Sequence, residues 1–509
     1  QCSYLDNLLA TELPQLEMTV AEASQKDVFR ASLSAFAEQA IDMAYGREPV
    51  RGFRFRLCAF GSLASGFALK GSDLDLAFVV EVMDPLPGAP VPSVTAATLV
   101  REDGIPRVLE LAYLNHGLGA RLLSRTRVPI LKVCEKPTKK LYTNLIKERE
   151  KWQGSPVAAS FSPAKDVVGD EVQSEGASRS ETPQSTPNEV PQSAVAVNDT
   201  SQPKATSAQL NKALLSPPAE SLQSPDNDKK GQSLRSPVGR MWTREKALGP
   251  LDFPKHGVGI QCDINFSNPL GIHNSHMLRC YSLCDPRVRP IVLFVKAWAK
   301  RRKINSPYSG TLSSYGYVLM ALHYLVNVAR PPVLPNLQHF TGIVLALSST
   351  EHPQVSDFVN GYQVRYFGDE TTLSRLAADG KLTANSDPVG VLLRGFFQYF
   401  AVPVNGGFNW AQDVLSLRTP GGIRSKIVKG WTGAKTELVV RQRYLVAIED
   451  PFETAHNVGR TVTRRGVDAI RDEFRRAWRV LDLVGERGGQ GGADEKVEGE
   501  GGLLDELAE

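Results

Sequence analysis

The sequence predicts a mixed α/β part and a mainly helical part, with a long disordered insertion inside the α/β part. Four short runs of β-branched and apolar residues, bounded by Gly, Pro and Lys, are typical of strands. From residue 287 onward, the apolar residues recur with helical spacing. Between the third and fourth runs lies a Ser- and Pro-rich segment that is too polar to form a core of its own.

The strand and helix patterns set the order of the elements. Strands are predicted at residues 53–60, 74–82, 128–133 and 258–266, with helices starting near Leu63 and around residues 92–115. The helical part is predicted to contain helices at 287–303, 313–327, 387–400 and 467–483, and a further helix is predicted at 28–45. The apolar stretch 316–328 contains His323 and is too short to cross a bilayer, so we expect a buried core helix there.

The inserted segment, residues 153–240, contains 15 Ser and 10 Pro but one aromatic residue, Phe161. This composition cannot offset the entropy lost on ordering, so we expect the segment to be disordered. Lengthening a connection from about six to about 120 residues adds only about 3 kcal/mol of closure entropy, which the α/β part can tolerate. Its five Ser-Pro and two Thr-Pro steps are candidate phosphorylation sites, and the segment is a candidate contact for protein partners.

These boundaries divide the chain into four regions. Residues 1–47 are predicted to form helices that pack on the helical part, and residues 48–270 to form the α/β domain around the insertion. Residues 271–484 are predicted to form the helical domain. The last region, 485–509, contains eight Gly and eight acidic residues and is predicted to be a disordered acidic tail.

The charge of the chain indicates a polyanionic partner. The formal net charge is +4, whereas the insertion carries −2 and the tail −6, so the residues predicted to fold carry +12. A body this basic suggests that the protein binds a nucleotide or a nucleic acid, although a merely soluble surface is an equal alternative on charge alone.

The composition does not indicate a secreted or membrane protein. Residues 1–10 lack a basic segment followed by an apolar one, so no signal peptide is expected, and no apolar run is long enough for a membrane span. Six cysteines in 509 residues do not indicate a disulfide framework, and no CxxC pair indicates a zinc site. We expect a soluble protein of a reducing compartment.

Three carboxylates are predicted to meet on neighbouring strands. Asp73 and Asp75 alternate with leucines, so both acids face one side of a strand, and Asp263 supplies a third acid from the strand at 258–266. Carboxylates this close repel each other unless cations neutralise them, and oxygen ligands suit Mg²⁺. The turn at Gly61 and Ser62 could bind a terminal phosphate at the start of a helix. These features together predict two-metal phosphoryl transfer.

Each of these motifs has an alternative explanation. An isolated Asp-x-Asp is usually a solvated strand edge, but the Gly-Ser turn and the strand context favour a nucleotidyltransferase site. Residues 61–66 imitate the start of a P-loop, yet Phe67 and Ala68 stand where a P-loop needs Lys and Ser or Thr, so a P-loop NTPase is excluded. Lys296 and Lys300 lie one helical turn apart and could grip a triphosphate, with a solvated basic face or a nuclear-import signal as the alternative.

The sequence resembles one known superfamily in four stretches. The DNA-polymerase-β-like nucleotidyltransferases have motifs similar to FGSLASGFALKGSDLDL, CDINFSNPLGIHNS, VKAWAKRRKINSPYSGTLSSYGYVLM and IEDPFETAHNVGRTV. The first motif alone also fits oligoadenylate synthases, CCA-adding enzymes and antibiotic nucleotidyltransferases. The other three narrow the resemblance to the cytoplasmic RNA terminal uridylyltransferase and poly(A) polymerase family of the caffeine-induced-death type.

The resemblance implies a polymerase-β-like nucleotidyltransferase domain followed by a helical central domain with a poly(A)-polymerase-associated region. It makes Asp73, Asp75 and Asp263 ligands of two Mg²⁺ or Mn²⁺ ions, with Asp263 also helping to deprotonate an RNA 3′-hydroxyl. It places the triphosphate at Ser62, Lys296, Lys300 and Ser314, the ribose 2′-hydroxyl at Asn274, and the base at Tyr315, Asp450, Glu453 and His456. Asn268, Gly271 and Ser275 complete the implied nucleotide-binding set, and relatives usually carry alanine at the position of Gly271.

The function that the resemblance implies is template-independent addition of UMP from UTP to RNA 3′ ends, in RNA uridylation and mRNA turnover. His456 favours uridine, because its ring N–H can donate to the uracil O4 carbonyl and its bulk disfavours a purine. A cytoplasmic poly(A) polymerase that uses ATP is the first alternative. A catalytically silent RNA-binding scaffold is the second, and three intact acids argue against it. We expect a monomer without membrane contact, located in the cytoplasm, with a nuclear fraction as the alternative.

Overall fold

A computed structural model describes residues 1–46, 52–83, 99–101, 104–124, 129–154, 242–245, 247–266, 268–339, 358–403, 406–437, 440–486 and 501–507. The predicted insertion, residues 153–240, lies outside the described residues from position 155 onward. The first part of the predicted helix at 92–115 lies outside them as well.

The α/β part contains one five-stranded sheet. Its strands are β1 (Phe53–Phe60), β2 (Leu74–Val82), β3 (Gly119–Leu123), β4 (Ile130–Cys134) and β5 (Gln261–Phe266), in the spatial order β1-β2-β5-β4-β3. β2 and β5 are parallel, and the other neighbours are antiparallel. The sequence predicted β1 and β2 to the residue but missed β3, whose five residues include a glycine and an arginine.

Helices cover the sheet. They are the short α3 (Gly61–Ser65), α4 (Ile105–Asn115), α5 (Lys139–Gln153) and the long N-terminal α2 (Val20–Tyr45). Phe29, Leu33 and Ile41 of α2 are buried in the same apolar cluster as Leu57 of β1. The prediction that residues 1–47 pack on the helical part is therefore wrong for α2, whose apolar residues recur every four positions and face the sheet layer.

The helical part contains most of the remaining elements. Its helices are α6 (Pro269–Cys284), α7 (Val288–Arg301), α8 (Ser314–His323), α9 (Glu370–Ala378), α10 (Val389–Ala401) and α11 (Arg464–Glu486), and α8 continues into a π turn, Tyr324–Val328. The N-terminal α1 (Cys2–Leu16) packs on α7 and α10. Short hairpins connect the helices: β6 (Phe358–Val359) with β7 (Tyr362–Gln363), β8 (Asp413–Leu415) with β9 (Ile423–Ser425), and β10 (Lys435–Glu437) with β11 (Val440–Gln442).

An aromatic cluster forms the centre of the helical part. The rings of Trp298, Phe397 and Phe474 lie within 4.8–6.3 Å of one another, in tilted and edge-on arrangements, and all three are buried. The predicted core helix at 316–328 is buried here too, in α8 and its π turn. Within the described part of the chain, no helix combines the length and the apolar character that a bilayer crossing requires.

Residues 501–507 are folded, which contradicts the predicted disordered tail over 485–509. We call this segment the C-terminal clasp. Leu503 and Leu504 are buried in the core of the helical part, and Gly485, the predicted start of the tail, still belongs to α11. The prediction was wrong here because it used the average composition, which does not show that two leucines pack in the core of the helical part.

Arginines at the C-terminal end of α7 and within α11 bind the backbone of the clasp. Arg302 Nη1 donates to the Asp505 carbonyl at 2.8 Å, and Arg476 Nη2 donates to the Gly502 carbonyl at 2.8 Å. The Leu507 N–H donates to the Arg301 carbonyl at 3.1 Å. The clasp therefore ties the C-terminal end of α7 to α11.

Disrupting the clasp should destabilise the whole helical part. Replacing Leu504 by Asp puts a charge where a leucine side chain is buried, so we expect the free energy of unfolding to fall by about 3 kcal/mol. Thermal unfolding measures the effect, and Glu506→Gln, at an exposed position of the same segment, is the control. Equal melting temperatures for both variants would mean that the clasp does not contribute to stability.

Candidate active site

Three carboxylates lie together where β2 and β5 run side by side. Asp75 is directly opposite Asp263 in the parallel register, and Asp73 immediately precedes β2. Leu74 and Leu76, which alternate with these acids, are buried in the core beneath the sheet. The structure thus brings together the three acids that the sequence singled out.

Burial and proximity raise the proton affinity of Asp75 and Asp73. Burial raises the pKa of Asp75 to about 7, and the charges of Asp263 and Asp73 contribute to the same effect. The pKa of Asp73 is also raised, first by the displacement of water from its carboxyl group and then by Asp263. A bound cation would relieve this repulsion, because it would stabilise the ionised forms of both groups.

Lys132 of β4 adds a positive charge that the sequence analysis missed. It lies opposite Asp263 in the antiparallel register, and its Nζ donates to Asp263 Oδ1 at 2.7 Å and to Oδ2 at 2.9 Å. Burial alone would lower the pKa of Lys132, but its interactions with Asp263 and the other two acids raise it. The strand alternation was the available signal, because Lys132 stands between two buried residues.

The donor set of this site fits a hard divalent cation. It consists of carboxylate oxygens, which Mg²⁺ prefers, and their mutual repulsion is the kind that such an ion removes. Among the residues that the structure describes, no three His, Cys, Asp or Glu side chains are already gathered at metal-binding distances. To hold a cation, the acid side chains would therefore have to rearrange from their present positions.

The turn at the start of α3 brings the backbone of Gly61 close to the Asp75 side chain. Gly61 has a φ of +68°, and a Cβ atom there would lie 2.3 Å from Asp75 Oδ2. The Gly61 N–H donates to Ser275 Oγ at 2.7 Å, and Ser275 Oγ donates to the Gly271 carbonyl at 2.7 Å. Ser275 is buried and positions this turn, and its predicted nucleotide contact stays a prediction. The partly exposed Ser62 is the phosphate-binding candidate that the turn retains.

The loop that leads to Asp73 is held by α2. Lys26 is buried, and its Nζ donates to the Ser72 carbonyl and to Glu22 Oε1, both at 2.7 Å. The Gly71 N–H donates to the same Glu22 oxygen at 2.9 Å. Burying the Lys26–Glu22 ion pair costs desolvation energy, which favours a positioning role for this pair over a purely stabilising one. The pair carries no recognisable motif, so sequence reasoning could not find it.

Lys296 and Lys300 lie one turn apart on α7, as predicted, but in different surroundings. Lys296 is buried and donates to the Phe67 carbonyl, and burial lowers its pKa to about 8 despite the nearby charge of Asp75. Lys300 is exposed, and its charge reaches Asp73. Lys300 is therefore the lysine that can meet a triphosphate directly, whereas Lys296 connects α7 to the segment after α3.

Asn268 and Gly271 shape the start of α6. Asn268 Oδ1 accepts from the Gly271 N–H at 3.2 Å and so caps the helix. A Cβ atom at Gly271 would lie 2.8 Å from Asn268 Nδ2 and 3.2 Å from Phe60 Cδ2. The alanine that is usual in the resembling family would therefore require the Asn268 amide to shift. The nucleotide contacts of both residues stay predictions.

Tyr315 connects α6, α8 and residues 450–456, which we call the base-reading loop. Its hydroxyl lies 2.9 Å from Asn274 Oδ1 and 3.0 Å from Asp450 Oδ2. Asp450 Oδ1 also accepts from the N–H groups of Phe452 and Glu453, each at 3.0 Å. Asp450 thus holds the loop in shape, and its predicted contact with a base stays a prediction.

The other predicted residues lie in the same elements. Ser314 is the first residue of α8, and its Oγ accepts from Asn305 Nδ2 at 2.8 Å. The His456 N–H donates to the Glu453 carbonyl at 2.7 Å, which closes a turn at the end of the base-reading loop. Ser314, Glu453 and His456 are all partly exposed, so each can be reached by a ligand.

Family models match three parts of the chain. A nucleotidyltransferase domain matches residues 48–151, and the central palm domain of mitochondrial-like poly(A) RNA polymerases matches residues 232–283. The Cid1 family of poly(A) polymerases matches residues 388–456, which include the base-reading loop. The chain is similar to the Cid1 family in these segments.

Curated terminal nucleotidyltransferases are similar to this chain over part of their length. Terminal uridylyltransferase cid1 of Schizosaccharomyces pombe is 44% identical over 231 residues, which cover 44% of this chain and 52% of that protein. Poly(A) RNA polymerase GLD2-B of Xenopus laevis is 33% identical over 223 residues, which cover 44% of this chain and 38% of that protein. The aligned region thus spans about half or less of these relatives.

Solved structures of terminal nucleotidyltransferases match over 99–100% of this chain. A cytoplasmic RNA terminal U-transferase matches with a TM-score of 0.56 and 25% identity, over 100% of this chain and 99% of that one. Cid1 in complex with its short product ApU also matches with a TM-score of 0.56 and 25% identity, over 99% and 98% of the two chains. The predicted fold class, a polymerase-β-like nucleotidyltransferase domain with a helical central domain, is confirmed.

Gly61→Ala should disable the site without unfolding the protein. The added methyl group would collide with the Asp75 carboxylate, and a displacement of about 1 Å costs about 100-fold in rate. Gly117→Ala is the control, since Gly117 also has a positive φ, of +77°, but a Cβ atom there would meet nothing within 4 Å. Nucleotidyl transfer to an RNA primer and thermal unfolding should be measured for both. Equal activity of the two variants would contradict the importance of this contact.

Proposed function

We propose that this chain is a template-independent RNA 3′-terminal nucleotidyltransferase that adds UMP from UTP. The observation that carries the proposal is the register of β2 and β5, which places Asp75 beside Asp263 at the turn that holds Ser62. The similarity to a terminal uridylyltransferase, at 44% identity over 231 residues, supports the same activity. Cid1 structures with MgATP and MgGTP support the use of divalent cations.

In this proposal the three acids would hold two divalent ions, Mg²⁺ or Mn²⁺, which when bound would supply charge stabilisation for the RNA 3′-oxygen and for the leaving pyrophosphate. The 3′-oxygen forms a bond to the α-phosphorus of UTP while the bond to pyrophosphate breaks in line with it. Asp263 takes up the hydroxyl proton. Lys300 and Ser62 bind the triphosphate, and the buried Lys296 keeps the segment after α3 in place.

The base would be recognised at the opposite wall of the site. Tyr315 offers its ring for stacking while its hydroxyl is held by Asn274 and Asp450. His456, at the end of the base-reading loop, would donate a ring N–H to the O4 carbonyl of uracil. Adenine presents an amino donor at the corresponding edge, so this contact would be lost with ATP.

A poly(A) polymerase that uses ATP is the second candidate. It is favoured by the 33% identity over 223 residues to poly(A) RNA polymerase GLD2-B. The two candidates share the acids and the reaction and differ in the nucleotide that is selected, so one assay distinguishes them.

Purified protein with Mg²⁺, a labelled oligo(A) RNA and each of the four NTPs in turn tests the proposal. We expect extension with UTP to be the fastest. Asp75→Ala should fold but lose several orders of magnitude in rate, because cation binding contributes several kcal/mol of charge stabilisation. Asp379→Ala, which removes an exposed acid at the end of α9, is the control and should stay active. Fastest extension with ATP would support the poly(A) polymerase, and a folded, active Asp75→Ala variant would contradict the proposed mechanism.

His456→Asn should shift selectivity from UTP towards ATP. One lost base contact changes discrimination by about 1–3 kcal/mol, which corresponds to a fall of about 5- to 150-fold in the UTP:ATP ratio of kcat/KM. A histidine-to-asparagine variant of Cid1 has been solved with MgATP in work on UTP selectivity, which supports this choice of residue type. The control is His256→Asn, at an exposed position, and an unchanged ratio in His456→Asn would remove His456 from the selectivity argument.

A further inference from the structure

A buried ionic cluster lies directly behind the base-reading loop. Glu449, the residue before the loop, has only 1% of its surface exposed. Its Oε1 accepts from Ser416 Oγ at 2.6 Å, and its Oε2 accepts from Lys429 Nζ. Arg424 Nη1 lies 3.4 Å from the same Oε2. None of these four residues has a place in the mechanism described above.

Lys429 connects this cluster to the loop itself. Besides Glu449, its Nζ donates to the carbonyl of Thr454 at 2.7 Å, in the middle of the base-reading loop. The ammonium group also lies 4.2 Å from the centre of the Trp431 ring, which stacks on Tyr444. One rigidly held ammonium group therefore bridges the residue before the loop and the turn that precedes His456.

The end of the loop is fixed separately. Asn457, which follows His456, is buried, and its Oδ1 accepts from the Ile448 N–H at 2.9 Å and the Gly459 N–H at 3.1 Å. Its Nδ2 donates to two further backbone carbonyls. With the two ends anchored in this way, the contact of Lys429 with Thr454 joins the hydrogen bonds of Asp450 in holding the turn between them.

We propose that Lys429 is a positioning residue that sets nucleobase selectivity by holding the Thr454 carbonyl and thus the place of the His456 ring. Lys429 would not touch the nucleotide. This inference rests on the proposed function, because it assigns the loop to the recognition of UTP. A buried ion pair contributes little net stability compared with an apolar replacement, so its value lies in fixing one geometry of the loop.

The test compares Lys429→Met with Lys429→Arg and with Lys435→Met, an exposed control in the neighbouring hairpin. In Lys429→Met the Thr454 carbonyl loses its hydrogen bond from Lys429, so the UTP:ATP ratio of kcat/KM should fall about tenfold. The change should appear mainly as a higher KM for UTP, because base contacts are made in the ground state and the transition state alike. Lys429→Arg retains the charge and the donors and should recover most of the ratio, and Lys435→Met should equal the wild type.

A double variant distinguishes a change in selectivity from a loss of folding. Lys429→Met leaves the Glu449 charge buried, whereas Lys429→Met combined with Glu449→Gln removes both charges and retains the Ser416 contact. A folded double variant, judged by its thermal unfolding, with a lowered UTP:ATP ratio would support the proposal. Wild-type selectivity in a folded double variant would overturn it. A wild type that incorporates no nucleotide would contradict the proposed function. A wild type that prefers UTP, with Lys429 variants that prefer it equally, would contradict only the role of Lys429.

Discussion

The repulsion between Asp75 and Asp263 is the constraint on which the rest of the site depends. The parallel register of β2 and β5 places two carboxylates side by side in a partly buried position, and burial and repulsion together raise the pKa of Asp75 to about 7. Three lysines compensate for this arrangement from different elements. Lys132 binds Asp263 from β4, whereas Lys296 from α7 and Lys300 act on the other acids through their charge. A glycine at position 61 then follows from geometry, because any side chain there would collide with Asp75.

Hydrogen bonds extend from this acid cluster to the base-reading loop through α6. Gly61 is held by Ser275, and the neighbouring Asn274 meets the Tyr315 hydroxyl, which in turn meets Asp450. Because Ser275 and Asn274 are consecutive on one helix, the reacting end and the base-recognising end of the site share a rigid support. A hydrogen bond in such a network polarises its neighbours and specifies one geometry. Residues first considered as nucleotide ligands thus also serve as the frame of the site.

Sequence reasoning succeeded where a pattern was local and failed where a partner came from a distant element. The alternation of leucines with Asp73 and Asp75 defined β2 to the residue and identified the acid face. No local pattern could show that Lys132 would stand opposite Asp263, since that depends on the pairing of β4 with β5 across the insertion. The docking of α2 on the sheet was missed for the same reason. The clasp was missed because composition over 485–509 averages two buried leucines with many glycines and acids.

The N-terminal helices span the two layers that border the site. α1 packs on α7 and α10, whereas α2 packs on α4 and β1, so residues 17–19 form the short connection between the layers. Leu16 and Glu17 pair with the segment at Leu69 and Lys70, and Lys26 binds the Ser72 carbonyl next to Asp73. A change in the angle between the layers would pull on this segment and shift Asp73. The acid cluster and the packing of the two layers are thus coupled through one short stretch of backbone.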